Sequence, residues 1–197
     1  MISDSLLQNA LSYKQYRQLL EDLMTQGKTT GNDQSEAMLH YAKINLQRSQ
    51  RIDKTLVLNE ATKQIVSKIT KPYAWLVITE GWCGDSAQNI SLFAKMEEIN
   101  PLISFKILLR DEHLDLMDQY LTNGGRAIPK LICLDENKKE LFTWGPRPKI
   151  AQDLVDNAKK LGISKADWNL SLHSLYAQDK LQSLQNEFIE LIAKFMI

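Results

Sequence analysis

Apolar positions in the first part of the chain recur at helical spacing. Leu6, Ala10, Tyr13, Leu20 and Leu23 share one face, and Gly27 with Gly31 ends the run. Asp33 with Glu36 three residues on has capping-box spacing, which predicts a second helix carrying Ala37, Tyr41, Ile44 and Ile52. Arg48 and Arg51 fall on its solvated side. From about Asp53 the rhythm changes, and Leu56-Val57-Leu58 predicts a short strand. Asn59 then caps a helix with Ile65, Val66 and Ile69, stopped by Pro72. The continuous apolar run Trp75–Thr79 predicts a strand buried on both faces. A helix from Gly84 to about Glu98 follows, then a second buried strand, Ile103–Leu109. Leu114, Met117 and Leu121 mark another helix, ended by Asn123-Gly124-Gly125. Lys130–Leu134 and Glu140–Trp144, around the turn residues Asp135-Glu136-Asn137, predict an antiparallel hairpin. Ile150, Leu154, Ala158 and Leu161 form a helix that Gly162 stops. In the tail, Ser164 with Asp167 opens a further helical stretch. Its stripe of Leu181, Leu184, Phe188, Leu191 and Phe195 is expected to fold back onto the core.

Alternating strands and helices give the parallel part of a sheet, and the hairpin adds an antiparallel edge. The expected fold class is α/β: a central mixed sheet flanked by helices over residues 53–163. A helical N-terminal extension (1–52) precedes it, and a C-terminal helical extension (164–197) packs on it.

Composition narrows the function more than the fold. Lys plus Arg equals Asp plus Glu at 24 each, so the formal net charge is zero and neither a nucleic-acid groove nor a membrane-binding basic patch is expected. No run approaches about 20 apolar residues, and Met1–Ala10 has no charged n-region or apolar core; the expected compartment is the cytoplasm. The two cysteines, Cys83 and Cys133, lack metal-ligand spacing and are expected as free thiols in a reducing compartment. His40, His113 and His173 are scattered. No phosphate-cradling glycine loop or nucleophile-elbow serine is present, so neither metal nor cofactor is expected.

The most informative stretch is Trp82-Cys83-Gly84-Asp85-Ser86, directly after a predicted strand and opening a predicted helix. A cysteine there sits at a helix N-terminus, where unpaired N–H groups and the macrodipole favour a thiolate. This order of elements, with Trp82-Cys83-Gly84 after one strand and Arg126-Ala127-Ile128-Pro129 before another, resembles the thioredoxin family. Within it, the chain is similar to bacterial thioredoxin-like proteins that carry a helical extension and a Trp-Cys-Gly-Asp motif. The resemblance implies that Cys83 is the exposed nucleophile, flanked by Trp82. It also implies that Pro129 follows a cis bond and that the Ile128 backbone offers hydrogen bonds to an extended substrate.

The departures from that family matter equally. Ser86 stands where dithiol members have their resolving cysteine. Val77 stands where they commonly have a buried aspartate, and the neighbouring strand is apolar near Ile107. The reading is therefore monothiol chemistry: thiol–disulfide exchange or isomerisation through Cys83, with Ser86 as auxiliary donor. An external thiol would release the product. The partners are then a protein disulfide or a low-molecular-weight thiol, and one exposed thiol can also cross-link a homodimer. Asp85, Arg110 and Arg126 are the candidate electrostatic residues; Asp85 would raise the Cys83 pKa. Cys133, on a buried strand, reads as packing. The alternative is a non-catalytic protein- or peptide-binding module on the same fold. Helices that leave Cys83 open favour chemistry, and helices that cover it favour binding.

Overall fold

Four strands, β1 (Tyr73–Thr79), β2 (Ile103–Leu109), β3 (Lys130–Leu134) and β4 (Glu140–Trp144), form one sheet in the order β2-β1-β3-β4. The structure is a computed structural model and describes residues 2–197. β1 runs parallel to β2 and antiparallel to β3, which pairs antiparallel with β4. In the β1–β2 register Val77 lies opposite Ile107, both fully buried. The apolar pair thus occupies the middle of the sheet.

The pleat sends alternate residues to two cores. On one face Trp75, Val77, Phe105, Leu131 and Cys133 meet α5 (Gly84–Ile99) and α9 (Gln182–Phe195). There Phe188 sits with its ring centroid 4.8 Å from Phe93 and 5.3 Å from Trp75. The tail stripe is therefore sheet core, because Leu184, Phe188 and Ile192 repeat on the helix face turned inward. On the other face Leu76, Ile78 and Ile132 pack with Ile2, Ala10, Met117 and Ile128.

The N-terminal pattern divides where the sequence reading ran on. α1 (Asp4–Asn9) and α2 (Tyr13–Thr25) are separate, because Ser12 and Gln15 form a capping box that starts a new helix. Between them Leu11 exchanges backbone hydrogen bonds of 2.9 and 2.8 Å with Ile107, on the open side of β2. α3 (Glu36–Thr55) is capped by Ser35, not Asp33; the Asp33 carboxylate accepts from the Ser35 amide one step earlier.

The strand expected at Leu56-Val57-Leu58 is absent. Leu58 plugs into the core while Val57 is 73% exposed, so the run is a connection with one anchor, leading to α4 (Glu60–Ser67). Asn59 caps that helix through a 2.8 Å bond to the Thr62 amide. The helix expected at Leu114–Leu121 is a single turn, α6 (Leu114–Met117), after a 3-10 turn at Arg110–Glu112. α7 (Lys149–Lys160) and α8 (Lys165–Asp179) precede α9 and share a smaller core of Ala151, Val155, Leu172 and Tyr176.

Candidate functional site

β1 ends at Thr79, and Glu80-Gly81-Trp82-Cys83 turns the chain into α5 with Cys83 as the N-cap residue. The Cys83 thiol donates to the Ile128 carbonyl at 3.3 Å. The Ile128–Pro129 peptide is cis, as is Gly145–Pro146. A side chain at Gly145 would collide with the Pro129 carbonyl, so these two proline loops lie back to back.

The sequence reading expected an exposed, activated thiolate. The structure corrects this: Cys83 is 8% exposed, and burial first, then the Asp85 charge, push its thiol up to about 11. Hydrogen bonds from Ser86 and from the backbone at Asp85 and Ser86 pull the other way and are outweighed. The Ser86 hydroxyl accepts from Thr79 Oγ1 at 2.6 Å, which leaves its own proton free to point at the sulfur.

The cover comes from both extensions. From α3, Asn45 donates to the Trp82 carbonyl at 2.8 Å, and Thr30 Oγ1 accepts from the Gly81 amide at 2.8 Å. From α8, the His173 ring packs on Gly84, where a Cβ would come within 3.3 Å of it. Tyr176 donates to Asp85 Oδ1 at 2.8 Å, and Arg147, from the Gly145–Pro146 loop, pairs with Asp85 Oδ2 at 2.7 Å. Burial pushes the Asp85 carboxyl up while Arg147 and Tyr176 draw it back. Asp85 is thus the centre of a buried network that ties the motif to the C-terminal half of the chain.

The remaining candidates separate. Arg110 lies over the Trp82 ring, 4.8 Å from its centroid, and pairs with Asp111 at 2.8 Å, so it fixes the indole beside the motif. Arg126 turns away: both arms of its guanidinium bind the Asp118 carboxylate at 2.6 and 2.7 Å on the surface. Glu80 is fully buried, accepts from the Asp111 amide at 2.9 Å, and is pushed up by burial. Cys133 lies in β3 opposite Trp75 and Phe142, with no exposure.

Asn45, Arg147, Tyr176 and His173 are the residues that the sequence reading missed. Arg147 sits between two prolines in Gly145-Pro146-Arg147-Pro148, a stiff loop whose one charged side chain was a usable signal. Arg48, read as solvated, is half-buried and faces the same end of the molecule as Cys83.

The family model described as Thioredoxin matches residues 31–159, more than half of the chain, and the chain belongs to that family. No curated protein matches it by sequence. Among solved structures it is similar to a protein of unknown function from Pseudomonas aeruginosa. That likeness has 19% identity and a TM-score of 0.64, over 98% of this chain and 99% of that one. It is also similar to an HIV epitope-scaffold, at 19% identity and a TM-score of 0.59, over 88% of this chain and 97% of that one. These likenesses carry the fold alone. Among the described residues no helix is long and apolar enough to cross a membrane.

Proposed function

We propose that this protein is a non-catalytic binding module on a thioredoxin fold, whose ligand meets it at the Trp82–Cys83 end. The state of Cys83 carries this reading: a buried thiol, pushed up to about 11 and donating to Ile128. Exchange requires an attacking thiolate, and at neutral pH such a group holds on the order of one thiolate in ten thousand. Ser86 in place of a second thiol and the apolar Val77–Ile107 pair support the same reading, since both steps that would recycle a mixed disulfide lack their groups.

A second reading keeps one observation in its favour: Cys83 is among the residues that line a pocket. In it, Cys83 sulfur attacks a disulfide, one S–S bond forms as the other breaks, and the displaced sulfur leaves as a thiolate. An external thiol then reverses the exchange on Cys83. The pH dependence of Cys83 carbamidomethylation, run beside a disulfide-reduction assay with Cys83→Ala as reference, separates the two. The binding reading expects Cys83 slower than an unhindered thiol at neutral pH and turnover equal to that of Cys83→Ala. A Cys83 as fast as a free thiol, with turnover that Cys83→Ala abolishes, moves the site to monothiol exchange.

A further inference from the structure

The wall that holds Cys83 belongs to a pocket of about 380 Å³ between α3, the motif and α8. That volume lies within the roughly 300–1,000 Å³ of small-molecule sites. Its sides are the rings of Tyr41, Trp82 and Trp168, and its rim keeps apolar surface in water: Tyr41 is 45% exposed and Leu170 74%. Three cations line it, Arg48, Arg147 and Lys165, against one carboxylate, Asp85. Arg147 is taken by Asp85. Arg48 spends a donor on a neutral acceptor, Asn45 Oδ1 at 3.0 Å, and among the described residues neither it nor Lys165 has an ion-pair partner.

Uncompensated positive charge in a half-buried place is costly, and its neighbours register it. Burial, then Arg51, lowers the Arg48 pKa, and burial, then Arg48, pushes His173 down to about 4, which leaves that ring neutral. The formal charge of the chain is zero, so this excess is local to the pocket rather than a general basic surface.

We infer that this pocket binds a small organic anion with an apolar or aromatic body, its negative group held by Arg48 and Lys165 and its body between Trp82, Trp168 and Tyr41. The inference rests on the binding reading above and names the chemistry of the ligand. The anion supplies the missing countercharge to Arg48 and covers the exposed rim.

Titration of the full chain with 1-anilinonaphthalene-8-sulfonate tests it, by fluorescence and calorimetry, with circular dichroism to confirm that each variant is folded. Saturable binding of one probe per chain is expected, weakened by salt, and bound probe should protect Cys83 from iodoacetamide. Arg48→Gln, which keeps a donor for Asn45, should raise Kd about tenfold, and Lys165→Gln about threefold. Arg51→Gln, on the same helix but lining a different cavity, should leave Kd unchanged. The neutral N-phenyl-1-naphthylamine should bind more weakly than the sulfonate. Absence of saturable binding overturns the inference, as does a folded Arg48→Gln that binds like the parent, or equal losses in Arg48→Gln and Arg51→Gln. These failures leave the binding reading standing; turnover that depends on Cys83 defeats that reading whatever the probe does.

Discussion

The two cysteines make an instructive pair. Both are free and buried, and burial raises both thiols, Cys83 to about 11 and Cys133 to about 12. Around Cys133 lie Trp75 and Phe142 across the strands, and the Trp75 indole is the one side chain that draws its thiol back down. Around Cys83 lie the Ile128 carbonyl, the Ser86 hydroxyl, the Asp85 network and the wall of a pocket. The fraction of surface covered is nearly the same, and the chemistry available to each sulfur is not. What separates them is how many polar groups surround the atom and whether a pocket borders it.

The largest effect that tests this contrast is kinetic. Alkylation of Cys133 needs global opening, whereas Cys83 needs only a local shift of α3 or α8. Native-state labelling read by mass spectrometry is expected to favour Cys83 on the order of a thousandfold, a ratio that collapses in denaturant. Equal native rates would erase the distinction between the two sites.

Next come the forces holding each region. Asp85→Ala strands the Arg147 guanidinium and the Tyr176 hydroxyl in a buried place and is expected to cost about 3 kcal/mol by urea unfolding. Cys133→Ala only opens a small gap among apolar neighbours and should cost about 1 kcal/mol. A reversed order would mean that the motif region is held by packing.

Two pH profiles sharpen the comparison further. The folded-state pKa of Cys83 is raised, so its contribution to stability is fully present below the unfolded thiol value near 9 and is lost as pH rises through about 11. On the order of 2 kcal/mol should disappear across that window in the parent relative to Cys83→Ala. His173 is the mirror case on the acid side: its folded pKa is depressed, so its contribution is present above the ordinary value of 6.5 and lost as pH falls through about 4. Discounted for solvent screening, that amounts to about 1 kcal/mol, and His173→Gln should flatten the profile. Parallel profiles for parent and variant would exclude each assignment in turn.

The strands were legible because their signals are local. Ile103–Leu109, Lys130–Leu134 and Glu140–Trp144 each announce themselves by apolar runs with turn residues at both ends. Leu56-Val57-Leu58 offered the same short run but finds no strand beside it, so a pattern of three residues was outvoted by tertiary placement. At the motif the element boundary was readable and the environment was not. Asn45 reaches Trp82 across 37 positions and Tyr176 reaches Asp85 across 91, and no periodicity encodes such meetings. Burial beneath those distant partners, and then the neighbouring Asp85, raises the Cys83 thiol, which is why helix-end physics alone pointed toward a thiolate.

The pairing of Leu11 with Ile107 has a consequence for how copies of this chain treat one another. β2 is the outermost strand on its side of the sheet, and an unpaired strand margin is a template on which foreign chains can zip. Leu11 occupies both the donor and the acceptor of a residue inside that seven-residue strand, so no visiting strand can run along it without interruption. The amino-terminal arm is in this sense a guard against self-templated aggregation. Removing residues 2–12 should appear in light scattering as concentration-dependent assemblies. A clipped chain that stays monodisperse at every concentration would reduce the pairing to ordinary packing.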